Sequence, residues 1–64
     1  MRLQIDRSIG AGYTITDLDG DIAPEVVRSD AGLREILGML RAPRELVEGV
    51  INRVDWDRSF EITY

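Results

Sequence analysis

The chain contains no cysteine, no histidine and no lysine. Without cysteine there is no disulfide framework or thiolate zinc site to add stability, and no thiol to act as a nucleophile. Without histidine the usual carrier of general acid–base catalysis is gone, leaving carboxylate, tyrosine or serine chemistry. Ser8, Ser29 and Ser59 have neither a histidine nor a lysine to activate them. Nucleophile, base and orienter are not available together, so the sequence reads as a non-enzyme with no cofactor or metal. Apolar runs are two or three residues long, against about 20 for a bilayer span, and the start Met1-Arg2-Leu3-Gln4-Ile5-Asp6 has no signal-peptide core. A soluble, cytoplasmic protein with no membrane partner is expected.

What is present fits one small domain over residues 1–64. A chain of this size buries only about 60% of the surface its unfolded form exposes, and oligomerisation is the commonest support still open to it. Hydrophobic residues make up 44% and charged residues 31%, a balance that favours a folded domain over disorder. All basic residues are arginine, a bias that a GC-rich coding genome produces. The net charge of −4 and pI near 4.5 oppose direct nucleic-acid or anionic-membrane binding and point to a protein partner, one with a basic surface. The negative end is the first half: Asp6, Asp17, Asp19, Asp21 and Glu25 face only Arg2 and Arg7 before residue 28.

Arg2-Leu3-Gln4-Ile5-Asp6-Arg7 alternates with the period of a half-buried strand, and Tyr13-Thr14-Ile15-Thr16 resumes it after the break at Gly10-Ala11-Gly12, predicting a hairpin. Asp19-Gly20 is a strong turn signal, and residues 22–27 predict a third, antiparallel strand. Pro24 lacks an N–H, so that strand belongs at an edge or begins near Glu25. Ser29 or Asp30 can cap a helix carrying Leu33, Ile36, Leu37 and Leu40 on one stripe, weakened by Gly32 and Gly38. After Arg41-Ala42-Pro43, a second helix starts near Pro43 and carries Leu46, Val47, Val50, Ile51 and Val54. Residues 59–64 alternate again, with Phe60, Ile62 and Tyr64 on one face. The order β-β-β-α-α-β predicts an α+β fold: a small antiparallel sheet with a helical hairpin packed on one face.

The stretch Thr16-Asp17-Leu18-Asp19-Gly20-Asp21 concentrates the acids. An EF-hand loop needs glycine at its sixth position and glutamate at its twelfth, and counted from Asp17 or from Asp19 neither falls there. Tyr13 to Gly20, a β-prone run leading into Asp-x-Asp-Gly, resembles the first motif of haloacid dehalogenase-type phosphatases; the resemblance implies a phosphoryl-accepting Asp17 and an acid–base Asp19. It covers eight residues, Asp21 stands where that family has threonine or valine, and no lysine exists to meet a phosphate. A turn whose carboxylates cap backbone N–H groups is the reading that needs no partners elsewhere. Gly10-Ala11-Gly12 precedes a strand, so it is no phosphate-binding loop.

Trp56, between Asp55 and Asp57, either lids one end of the core or anchors an interface. The expected protein-interaction residues are Asp17, Asp19, Asp21, Glu25, Asp55, Trp56 and Asp57. The resulting functional expectation is a small acidic protein-binding protein, complete as a short reading frame. By analogy of size and charge it is an inhibitor of the phage or mobile-element kind, anti-CRISPR-like or a DNA mimic, aimed at a host nucleic-acid-handling complex. The alternative is a homodimeric accessory subunit without inhibitory role, joined through the last strand or the helical face.

Overall fold

The computed structural model describes residues 1–8, 12–53 and 59–64. Its elements run β1 (Arg2–Ser8), β2 (Gly12–Asp17), β3 (Glu25–Val27), α1 (Asp30–Met39), α2 (Arg44–Arg53) and β4 (Ser59–Thr63). The four strands form one antiparallel sheet in the order β3-β2-β1-β4. The first strand is therefore interior, and β3 and β4 are the edges. The turn between β1 and β2 lies outside the described residues.

The alternation in sequence becomes a two-sided sheet. Leu3, Ile5, Tyr13, Ile15 and Ile62 point to one face, where Leu33 and Leu37 of α1 and Val47 and Val50 of α2 cover them. Ile36, Leu40, Ile51, Phe60 and Tyr64 pack around this cluster. The opposite register positions, Gln4 against Thr16 and Glu61, and Asp6 against Thr14 and Ser59, make the uncovered face polar. There Gln4 donates to both oxygens of Asp6, and Ser59 donates to the same carboxylate.

Three local devices fix the elements. Gly12 begins β2 at φ +78°, and a Cβ there would stand 2.2 Å from the Val27 carbonyl oxygen, so only glycine lets β3 pass this closely. Ser29 caps α1, its hydroxyl accepting from the Gly32 N–H at 3.0 Å. The helix ends in a Schellman arrangement: Ala42 N–H donates to the Leu37 carbonyl, Arg41 N–H to that of Gly38, both at 3.0 Å. Arg41 occupies the left-handed position, φ 63°, that glycine usually fills. α2 opens just after Pro43, whose carbonyl accepts from Leu46 and Val47, so proline sits one residue ahead of the expected first turn.

The acidic connection between β2 and β3 is longer than a two-residue hairpin. Ile15 pairs with Glu25 and Tyr13 with Val27, a register symmetric about Gly20, but the ladder stops there. Continued, it would set Pro24 against Thr16 with the proline nitrogen turned away from β2, which an edge strand tolerates; at the next pair the Asp17 carbonyl is already taken by the Gly20 N–H. Residues 18–24 thus leave the sheet as an open loop.

Candidate interaction site

Asp17 follows Tyr13 and Ile15 on the inward face of β2 and is only 7% exposed. One of its carboxylate oxygens accepts from the Asp19 N–H at 2.9 Å, the other from the Asp21 N–H at 3.1 Å. Its carbonyl accepts from the Gly20 N–H at 3.1 Å, with Gly20 at φ +79°. A buried carboxylate with both oxygens so engaged shapes the loop. The Leu18 N–H also donates to the Arg2 carbonyl, fastening the loop to β1.

The other acids stand outward. Asp19 meets Arg2 at 3.3 Å, an exposed pair worth about 1 kcal/mol at most. Asp21 and Glu25 are exposed, and their carboxylates have no hydrogen-bonding or ionic partner among the described residues. Asp55, Trp56 and Asp57 lie outside the described residues, so Asp17, Asp19, Asp21 and Glu25 are the members of the expected set that the structure places together.

Beside these acids lies an apolar cleft of about 160 Å³. Leu3 and Ile15 line it from the sheet, Ile36 and Met39 from α1, and Ile22 and Ala23 from the loop; Asp17 and Glu25 also border it. Met39 is 72% exposed. None of these apolar residues was expected to form a site. The available signal was that Ile22 and Met39 are large apolar residues off every core stripe. A second, more polar groove runs between α2 and β4, along Leu46, Gly49 and Phe60, with Glu45 and Glu61 at its edge.

Two polar ties brace the scaffold. The Arg34 guanidinium forks onto Glu48 at 3.0 and 3.2 Å, joining α1 to α2. This bond holds the Glu48 carboxyl below its ordinary range, helped by the charges of Arg34 and Arg44 and opposed by burial. Tyr13, 3% exposed, donates its hydroxyl to Asp30 at the start of α1, and the Arg7 guanidinium lies 5.4 Å from the ring centre. Burial, then the bond to Asp30, pushes the Tyr13 hydroxyl up from its ordinary value of 10.0. Tyr64, whose hydroxyl donates to the Leu40 carbonyl at 2.7 Å, is also pushed up, by burial and then by the charge of Asp17.

Among the described residues no group of three or more carboxylates is arranged to hold a metal ion, and no helix is long and apolar enough to cross a membrane. The arrangement offers an apolar recess and free negative charge, a combination suited to recognition. The chain matches no family model, no curated protein sequence and no solved structure.

Proposed function

We propose that the protein is a non-enzymatic protein-binding protein whose partner presents a basic surface. The observation that carries this reading is the pair of exposed carboxylates without a partner among the described residues, Asp21 and Glu25, beside an open apolar cleft. Charges left without internal partners add nothing to folding, whereas an oppositely charged surface gains on-rate and register from them. The finer reading is inhibition of a nucleic-acid-handling complex, anti-CRISPR-like or by DNA mimicry, in the manner of phage and mobile-element proteins of this size and charge; it rests on analogy.

The test is capture of partners on the immobilised protein, with Asp21→Asn plus Glu25→Gln compared against Glu61→Gln on the opposite sheet face. Loss of the captured protein with the first pair only supports the reading; equal capture by all variants rejects it. Displacement of the captured protein by DNA, with steep salt dependence, would favour mimicry.

A homodimeric accessory subunit is the second reading, favoured by the position of β4 as an outer strand. Symmetric antiparallel pairing of two β4 strands about their middle residue would set Glu61 against its copy, which is unfavourable. Light scattering that gives a monomer mass at all concentrations would end this reading.

A further inference from the structure

We infer that the cleft between α1 and residues 18–24 receives one large apolar side chain from a partner segment that carries arginine or lysine on both sides of it. The inference rests on the protein-binding reading above and gives the partner a recognisable chemistry. A void of roughly 150 Å³ lined by aliphatic side chains takes up one benzene ring. The cleft, at about 160 Å³ with Leu3, Ile15 and Ile36 among its lining residues, matches a single phenylalanine or leucine side chain. Met39 stands exposed at its border, and an unbranched, polarisable methionine adapts to whatever apolar group arrives.

The rim decides the flanking residues. Asp21 and Glu25 lie on the loop side without partners among the described residues, and Glu35 sits one helical turn before Met39 on α1. An anchor flanked by acids would bring like charges together, and a nucleic-acid strand or an anionic lipid would do the same. A second copy of this chain, itself at −4, carries the same acids to the mouth of the cleft. A basic segment with one apolar anchor is the occupant that satisfies both the recess and its border.

The experiment follows the methionine and isoleucine methyl signals of the whole protein by NMR during titration with a capped Gly-Arg-Arg-Phe-Arg-Arg-Gly peptide. Saturable shifts at Met39, Ile36 and Ile22 are expected. Replacing the peptide's phenylalanine with serine should weaken binding about tenfold or more. Asp21→Asn and Glu25→Gln should each weaken it by about two- to five-fold, and added salt should weaken it further. The inference is overturned if those methyls do not respond, or if a peptide with glutamates in place of the arginines binds equally well. It is also overturned if the same methyls shift with protein concentration alone, which would assign the cleft to a second copy.

Capture of partners by Met39→Asp separates the two levels of the argument. Capture that survives Met39→Asp but fails in the Asp21/Glu25 pair overturns the pocket and leaves the broader reading standing. Peptide binding at the cleft, with no protein captured by any variant, upholds the pocket and fails the broader reading.

Discussion

Replacing Asp17 by alanine removes both acceptors that hold the Asp19 and Asp21 N–H groups. Water can reach these exposed amides, so the expected cost is about 1–2 kcal/mol in urea unfolding, with Asp17→Asn recovering part of it through its remaining carbonyl oxygen. A variant as stable as the parent would show that the loop organises itself without this carboxylate. The turn role of this stretch was readable from Asp-x-Asp-Gly, and so in principle was the burial of Asp17, which continues the alternation of Tyr13 and Ile15. What the letters did not distinguish was which of three neighbouring carboxylates turns inward. That depends on where β2 leaves the sheet, and the turn in which the Gly20 N–H takes the Asp17 carbonyl sets that point.

Helix α1 ends at a residue whose backbone conformation suits glycine and whose identity is Arg41. Arg41→Gly should raise stability by about 0.5–1 kcal/mol, since relief of left-handed strain outweighs the added freedom of the unfolded chain. Thermal unfolding checks this, and a lowered midpoint would mean that the arginine side chain supplies a contact worth more than the strain. Between sheet and helix, Tyr13 gives a pH signature. Its folded hydroxyl holds its proton above the ordinary value of 10.0, so its contribution to stability is complete below that value and fades as pH rises through it. Tyr64 acts in the same sense. Stability should fall as pH rises above the ordinary value of 10.0, and Tyr13→Phe should lessen that fall; an unchanged slope would remove Tyr13 as its source. Glu48 works at the other end: its lowered value means that support from the Arg34 pair is present at neutral pH and fades on acidification. Strand and helix order, the Ser29 cap and the edge position of β3 were legible, because period and capping chemistry act locally and proline is tolerated on an edge strand. In the loop of residues 40–43 the Schellman turn uses Arg41 and Ala42 to satisfy α1's last carbonyls.

At the scale of the molecule, nine buried apolar residues among those described hold two helices to one sheet face. Leu33 and Leu37 are wholly enclosed. Leu37→Ala should cost about 2–5 kcal/mol, against a total of roughly 3–10 kcal/mol for a chain this short. The variant should be largely unfolded by 37 °C in a calorimetric scan; a midpoint within a few degrees of the parent would show that the helices settle into the space. The inward residues of this core were visible as two periods, of two and of about 3.6. The cleft was not, since it arises where a loop, a sheet corner and the end of a helix meet, and no single segment carries its signature.

The sheet order also governs how the molecule yields to force. The start of β1 lies beside the end of β4, with Arg2 opposite Thr63. Tension applied between those two points pulls the strands apart from one end, loading their cross-links singly and in succession, the way a zipper opens. The same β1, gripped through its other neighbour β2, meets no such lever at that end until β4 has peeled away.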